Sequence, residues 1–301
     1  MKKLNFLFVA LMLLAASCSN ERVDMVENAQ VEKPLAPVEV YVSGFSVSQE
    51  AYSVAQTRAY QDVADYSGVK VLTLAFYDGE TEVYKTTQLK ESMPEGATFG
   101  NFSLDLPLGS YTMVVLGYVL YDDDELTLTS PTQAEYTGGS PRETFAATQA
   151  VNITNSSAVN LSATLDRIVA QLKVISTDNR TANVSNVRMT LSAGGKRFSP
   201  TSGLATLNTG FSNTVGIGTA VGAKSGSISN IFLASDEQEM NVSIETLDSE
   251  GNTIFSTVVE DVPFKRNRIT KLTGSIYPTA ASVGGSFSVS TDWLEEHNMN
   301  F

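Results

Sequence analysis

The sequence predicts an all-β protein built from β-sandwiches, and three observations carry that prediction. Apolar residues alternate with polar residues in many short segments, as at Val38, Val40 and Val42. Turn residues separate these segments at regular intervals, and a strong helix signal occurs once. A chain of 301 residues that is 42% hydrophobic is long enough for two sandwich domains, each with its own core.

The chain begins with the organisation of a secretory signal. Lys2 and Lys3 precede an apolar run from Leu4 to Leu14, and small residues then lead to Cys18. About 20 apolar residues are needed to span a bilayer, so this run is too short for a comfortable transmembrane helix. Residues 1–17 are therefore expected to be removed as a signal peptide.

The residues just before Cys18 resemble a bacterial lipoprotein signal, in which small side chains run directly into the modified cysteine. The resemblance implies that Cys18 becomes the lipidated first residue, with acyl chains such as palmitate in the outer membrane. Two or three chains hold a protein firmly, whereas one chain is marginal. We therefore expect a lipoprotein at the cell surface. The alternative is an ordinary cleaved signal that leaves Cys18 as a free thiol.

The segments after the signal are assigned in chain order. Residues 18–37 are polar and end in a proline-containing stretch, which predicts a flexible tether. A first sandwich domain is expected over residues 38–163, with its first strand at Val38–Val47. A short helix is predicted at Ser140–Glu143, which has capping-box spacing with proline at the first helical position. The further strands of this domain are expected at Val69–Tyr77, which ends in the turn pair Asp78–Gly79, and at Leu104–Leu108 and Tyr111–Leu116.

A second sandwich domain is expected over residues 164–301, with the change of domain near Leu161–Asp166. Asp248–Asn252 is predicted to be a hairpin loop between two of its strands. The expected strands are Val159–Leu165, Ile168–Ile175, Val184–Leu191, Ile231–Ala234, Met240–Leu247, Thr253–Val259, Val262–Tyr277 and Phe287–Trp293.

Composition disfavours several classes of function. The formal net charge of −13 disfavours nucleic acid and anionic lipid surfaces as partners. The single cysteine allows no disulfide within the chain. His297 is the one histidine and lies close to the end, so catalytic triads and zinc sites lack their usual residues. We expect no enzymatic activity and no cofactor.

Two further segments have a functional and a structural interpretation. Gly216–Ser225 is rich in glycine, but its spacing fits neither a dinucleotide fingerprint nor a Walker loop, so a mobile loop is favoured over a phosphate site. Asp122–Glu125 is acidic but lacks the alternating acids of a calcium loop, so a solvated loop is favoured.

Four stretches of the sequence resemble the fimbrillin family of Bacteroidia, lipoprotein precursors that build fimbriae. The basic run Lys265–Arg268 is the most distinctive part of the resemblance. In order behind the lipoprotein signal, the four stretches cover most of the mature chain. They are Leu106–Tyr111, Leu165–Ala170, Val262–Gly274 and Phe287–Trp293.

The resemblance implies two transthyretin-like β-sandwich domains in tandem and a specific processing step. In the family, an arginine-specific protease removes the first strand of the first domain after export. The matching bond here joins Arg58 to Ala59, in a polar stretch that a protease can reach. The alternative is that Arg58 is a surface arginine in an uncut loop.

Removal of the first strand would leave unpaired backbone groups beside an apolar trough, which another subunit must fill. The family resemblance nominates the C-terminal segment as the donor. Its apolar face would present Phe287, Val289, Thr291 and Trp293. The polar residues Glu295–Asn298 follow and fit a groove poorly, which leaves a tip or anchor subunit as an alternative to a shaft subunit.

Two functional hypotheses therefore come from the sequence. The first is a structural subunit of a cell-surface fimbria, polymerised by strand exchange and contributing to adhesion. Its partners would be other fimbrial subunits, the outer membrane through lipid on Cys18, and an arginine-specific protease. The second is a surface lipoprotein that binds glycan or peptide without polymerising. An extracellular hydrolase is a third class that no residue pattern supports.

Overall fold

The computed structural model describes residues 33–49, 57–63, 66–119, 121, 125–277 and 287–291. These residues form strands joined by turns, with a single 3-10 turn at Lys90–Ser92. In these ranges no helix is long and apolar enough to cross a membrane. The first ten strands are β1 (Leu35–Gln49), β2 (Thr57–Asp62), β3 (Val71–Asp78), β4 (Thr81–Leu89), β5 (Asn101–Pro107), β6 (Gly109–Tyr118), β7 (Glu125–Ser130), β8 (Gln133–Thr137), β9 (Thr144–Ile153) and β10 (Val159–Arg167).

The remaining strands follow from residue 170 onwards. They are β11 (Ala170–Ser176), β12 (Asn186–Leu191), β13 (Arg197–Phe198), β14 (Phe211–Gly216), β15 (Gly226–Ile231), β16 (Glu237–Leu247), β17 (Thr253–Lys265), β18 (Ile269–Gly274) and β19 (Ser288–Thr291). The predicted all-β sandwich fold is confirmed, as is the hairpin loop that joins β16 to β17.

The first sandwich is one sheet folded over on itself. Its strand order is β2-β1-β10-β9-β6-β3-β4, and β5 also pairs with β1. β9 and β10 pair only at Asp166 with Ala146 and at Arg167 with Phe145, which forms the corner. The first hydrophobic core contains side chains from strands on both sides of this corner, including Val40, Phe76 and Leu165.

The second sandwich is built from two four-stranded sheets. Their strand orders are β15-β11-β18-β19 and β14-β12-β16-β17. The inward residues of these strands, such as Leu172, Met189 and Ile244, form the second hydrophobic core. The alternation of apolar and polar residues in each strand produces this arrangement because successive side chains point to opposite faces.

A third hydrophobic core joins strands from the two halves of the chain. Strands β7 and β8 form a small sheet with β13, which lies far along the chain. Phe198 of β13 stacks on Phe232 with ring centroids 4.0 Å apart, and Tyr136 of β8 lies 6.2 Å from Phe232. Pro34–Phe301 form one compact unit. The division into domains at residues 163 and 164 therefore stays a prediction.

The prediction of a short helix at Ser140–Glu143 is wrong. The segment is an irregular connection that leads into β9. The capping-box interpretation required the Glu143 carboxylate to bond the local backbone, but that carboxylate accepts hydrogen bonds from Tyr66 and Arg167 instead. Tertiary pairing of the glutamate thus replaces the local contact that would begin a helix.

Candidate functional site

The candidate site is the groove that β1 occupies, called the β1 groove, whose walls are β10 on one side and β5 and β2 on the other. β1 runs parallel to β10, from Val38 opposite Val159 to Ser46 opposite Asp166. On its other side it runs antiparallel to β5 and then to β2. The strand therefore lies inside the sheet and not at its edge.

The inward face of β1 belongs to the first core. Its apolar side chains are at most 2% exposed, whereas Tyr41 on the outward face is 47% exposed. β1 begins at Leu35, three residues before the predicted start, since Leu35, Ala36 and Pro37 already pair with β5. The inward residues are Ala36, Val38, Val40, Val42 and Phe45.

A β-bulge changes the alternation within β1. The register with β10 shifts between Val42 and Gly44, so Ser43 is the extra residue. The Ser43 hydroxyl donates to the Ala163 carbonyl at 3.1 Å, which fixes the bulge. Because of this extra residue, Phe45 points inward although it lies three positions after Val42. The bulge thus explains why the apolar residues of β1 change from even to odd positions in the sequence near Gly44.

The predicted cleavage bond lies in a strand that pairs with β1. Arg58 is opposite Ser48, and Ala59 is opposite Val47, in β2 at the end of the sheet. The bond between them is thus part of a backbone ladder at an edge strand. Cleavage there stays a prediction. The predicted lipidation site, Cys18, lies outside the described residues, as do Trp293 and His297.

The predicted donor residues lie in a different sheet from the β1 groove. β19 pairs antiparallel with β18, with Thr291 opposite Thr270. Val289 is 42% exposed, and Phe287 packs partly buried against the second core. Phe287, Val289 and Thr291 therefore form an edge segment of the second sandwich in this structure, and their role as donors stays a prediction.

Two of the segments that carry the fimbrillin resemblance are in contact with each other. Arg167 belongs to one and Asn267 to the other, and Arg167 Nη1 donates to Asn267 Oδ1 at 3.3 Å. Arg167 Nη2 pairs with Glu143 Oε1 at 2.5 Å and donates to Tyr66 Oη at 3.0 Å. The Tyr66 hydroxyl donates to Glu143 Oε1 at 2.6 Å. These two motifs therefore have a structural role at the contact between the two halves of the chain.

This network is largely buried. The Arg167 side chain is 4% exposed, and its guanidinium lies 5.1 Å from the ring centroid of Phe145. Burial raises the pKa of the Tyr66 phenol well above its usual range, and the nearby Glu143 carboxylate raises this pKa further. The phenol therefore stays protonated and keeps donating to Glu143. Sequence inspection missed Glu143 and Tyr66 because no local pattern links them to Arg167.

A separate cleft of about 390 Å³ lies where β16 begins and β17 ends. Glu237 and Lys265 form a 2.7 Å ion pair on its wall, and Arg268 and Phe264 also line it. Burial lowers the pKa of Arg268. Phe264 is 2% exposed, so it does not present the open ring face on which a sugar would stack.

The predicted loop at Gly216–Ser225 is hydrogen-bonded to Arg180. The Arg180 guanidinium donates to the carbonyls of Ile217 and Val184, each at 2.9 Å. A phosphate loop presents backbone N–H groups, whereas this loop directs carbonyl oxygens at an arginine. This contact argues against a phosphate site, and the expected mobility of the loop stays a prediction. Elsewhere in the described ranges no group of three or more His, Cys, Asp or Glu side chains is placed to hold a metal ion.

Residues 37–300 match the sequence model of a family of unknown function, DUF6562. The chain belongs to this family. No curated protein matches this DUF6562 member significantly in sequence.

Solved structures share the fold of this DUF6562 chain. A candidate adhesin from Bacteroides ovatus has a TM-score of 0.51 at 13% identity, covering 88% of this chain and 97% of that one. A candidate polysaccharide-binding protein from Bacteroides thetaiotaomicron has a TM-score of 0.50 at 10% identity, covering 88% of this chain and 100% of that one. The fimbrial anchor protein Mfa2 from Porphyromonas gingivalis has a TM-score of 0.49 at 13% identity, covering 86% and 97%. The predicted resemblance is confirmed at the level of the fold, which the chain shares with the candidate adhesin at a TM-score of 0.51.

Proposed function

We propose that this chain is a non-enzymatic structural subunit of a cell-surface fibre and that a strand of a neighbouring subunit replaces β1 on assembly. The observation that carries the proposal is the position of β1, which is N-terminal in sequence and yet internal in the first sheet. Loss of β1 would leave backbone hydrogen-bonding groups unpaired on both sides of the groove and would expose the apolar side chains that β1 covers.

The energetics of the β1 groove favour an occupied state. Four of the inward side chains are valine or phenylalanine, each worth roughly 1.5–3 kcal/mol on burial, or on the order of 10 kcal/mol together. The unpaired backbone groups of β5 and β10 would add to the cost of an empty groove. A cleaved subunit would therefore bind another extended chain tightly, and no covalent bond is needed.

The remaining steps of the proposal concern export and processing. Lipid on Cys18 holds the precursor at the outer membrane, and an arginine-specific protease then cuts between Arg58 and Ala59. This cut removes both the lipid anchor and β1, while Ala59–Asp62 of β2 remain with the folded chain. The shared fold with a candidate Bacteroides adhesin supports a surface location and an adhesive role.

Substitution of Arg58 tests the processing step. Arg58→Ala is expected to leave a lipidated precursor that does not enter fibres, and Arg58→Lys, which retains the charge, is expected to behave in the same way. Mass determination of the surface form reports the N-terminus, with Ala59 expected for the unmodified chain. Normal incorporation of the Arg58→Ala chain into fibres would overturn the proposal.

A second candidate function is a surface binding module that does not polymerise. The observation that favours it is the 390 Å³ cleft lined by Glu237, Lys265 and Arg268, because this volume lies in the range of ligand sites. Saturable glycan binding by a monodisperse cleaved chain, lost in an Arg268→Ala variant, would favour this function over polymerisation.

A further inference from the structure

The β1 groove ends in an aromatic socket that Phe45 fills. The socket consists of the side chains of Tyr66, Phe145, Leu165 and Leu72, together with Gly117. The Phe45 ring centroid lies 4.9 Å from that of Phe145 and 5.3 Å from that of Tyr66, in tilted arrangements. Phe45 itself is fully buried. These distances are those of favourable aromatic pairs.

Gly117 sets the size of the socket. A Cβ atom at this position would lie 3.1 Å from Cε1 of Phe45 and 3.1 Å from Cδ2 of Leu165. Both distances are shorter than ordinary van der Waals contact, so only glycine leaves the full width for a phenyl ring. Between Leu35 and Phe45, where the side chains of β1 are described, the other buried apolar residues are alanine and valine, so the socket holds the one large buried side chain of that stretch.

The socket is also connected to the buried ion pair below it. The Phe145 ring lies between Phe45 and Arg167, with the Arg167 guanidinium 5.1 Å from its centroid, and Tyr66 bonds both Arg167 and Glu143. An empty socket would therefore leave a cavity and would also remove a packing partner from two residues of the Arg167 network.

We propose that this aromatic socket selects the strand that replaces β1. In β1, Phe45 lies three residues after Val42, and the bulge at Ser43 lies between them. The incoming segment must therefore present a phenylalanine-sized ring three residues after a small aliphatic side chain, with a bulge between the two. This inference rests on the proposed strand exchange and adds to it the chemistry of the partner.

The test uses the full chain with a site for a sequence-specific protease inserted between Gln49 and Thr57. After cleavage, β1 is removed from the chain in urea, the chain is refolded with labelled Leu35–Gln49 peptide, and the bound label is measured after gel filtration. Three peptides are compared, namely the native sequence, Phe45→Ala and Tyr41→Ala. The last is a matched control, since it also removes an aromatic ring from β1, but from the exposed face.

We expect the native and Tyr41→Ala peptides to enter the groove with similar affinity. The Phe45→Ala peptide should bind roughly 100-fold more weakly or worse, since removal of a fully buried phenylalanine leaves a cavity. Binding of the Phe45→Ala peptide within about threefold of the native peptide would overturn the socket inference and leave strand exchange standing. Failure of all three peptides to enter would overturn strand exchange itself, and the inference with it.

A variant of the socket gives a second, independent measurement. In a Gly117→Ala chain the added methyl group narrows the socket, so the preference for the native peptide over a Phe45→Leu peptide should fall by about tenfold. An unchanged preference would contradict the role assigned to Gly117.

Discussion

At the residue scale, the buried Arg167 depends on Glu143 for its charge balance. Removal of one partner from a buried ion pair leaves an uncompensated charge, which costs far more than loss of an exposed pair. The chain contains a suitable comparison, because Lys70 and Glu91 form a pair of similar length, 2.6 Å, with both side chains more than half exposed.

We expect Glu143→Ala to lower the free energy of unfolding by about 3 kcal/mol. Glu91→Ala should shift the urea midpoint little, because the solvent already screens that pair. Urea denaturation followed by circular dichroism measures both variants. Equal midpoints for the two variants would show that the Arg167 network does not stabilise the chain.

Tyr77 gives a prediction for alkaline pH. Its side chain is fully buried in the third core, and its hydroxyl has no hydrogen-bond partner. Burial, together with the nearby Glu82 and Glu80 carboxylates, raises the pKa of Tyr77 to about 12. The unfolded chain ionises this group near pH 10, so it binds fewer protons than the folded chain between pH 10 and 12.

The stabilising contribution of neutral Tyr77 is therefore complete below pH 10 and is lost as the pH rises towards 12. Over that window the wild-type unfolding free energy should fall by up to about 1.4 kcal/mol per pH unit from this group alone. Tyr77→Phe should reduce that slope and should be neutral or stabilising at pH 7, since it removes an unpaired hydroxyl. An identical alkaline slope in Tyr77→Phe would refute this account.

At the scale of elements, β19 pairs with β18, and Phe287 just before it packs on Gly274. The Phe287 ring lies over Gly274, where an added Cβ would fall 2.5 Å from a ring carbon. Gly226, in β15 of the same sheet, has room for a Cβ, with its nearest neighbour at 3.8 Å. These two glycines form a matched pair for substitution.

Gly274→Ala should displace Phe287 and loosen β19, so the amides of Ser288–Thr291 should exchange with deuterium faster than in the wild-type chain. Gly226→Ala should leave their exchange rates close to wild type. Hydrogen exchange with mass spectrometry gives both results. Unchanged exchange in Gly274→Ala would mean that Phe287 does not hold β19.

Most individual elements were predictable from the sequence because side-chain alternation is a local signal. The strand at Val38–Val47, the turn at Asp78–Gly79 and the β16–β17 hairpin all follow from this signal and from turn residues. The predicted helix at Ser140–Glu143 failed because the capping residue bonds a strand distant in sequence. Local patterns contain no information about such partners.

The arrangement of the candidate site was less predictable. Alternation shows that β1 has one buried face, but it does not show that β1 runs parallel to β10 and lies between β10 and β5. The bulge at Ser43 left a phase change in the sequence near Gly44, but the ring environment of Phe45 comes from Tyr66, Gly117 and Phe145, which no short pattern connects.

At the scale of the whole molecule, the parts that join the two halves of the chain differ from β1, the strand that we propose is exchanged. The third core and the β8–β13 pairing join the two halves of the chain, and the Arg167 network reinforces their contact. β1, by contrast, is joined covalently to the strands that follow it only through the segment between the end of β1 and Arg58. A cut after Arg58 would therefore leave β1 held only by non-covalent contacts, while the strands from β3 to β19 stay in one continuous chain.

A reversible covalent lock on β1 would show whether assembly requires β1 to leave its groove. The Ser103 hydroxyl donates to Glu39 Oε1 at 2.7 Å, and the two residues are opposite each other in β5 and β1. Directly paired strand positions are close enough for a disulfide. The Glu39→Cys/Ser103→Cys chain can therefore be oxidised to fix β1 in its groove, with each single variant as a control.

Fibre incorporation of this double variant is the decisive measurement. The oxidised chain is expected to be excluded from fibres, reduction is expected to restore its incorporation, and both single variants are expected to assemble normally. Equal incorporation of the oxidised and reduced double variant would contradict the account, because it would show that assembly proceeds with β1 still in place.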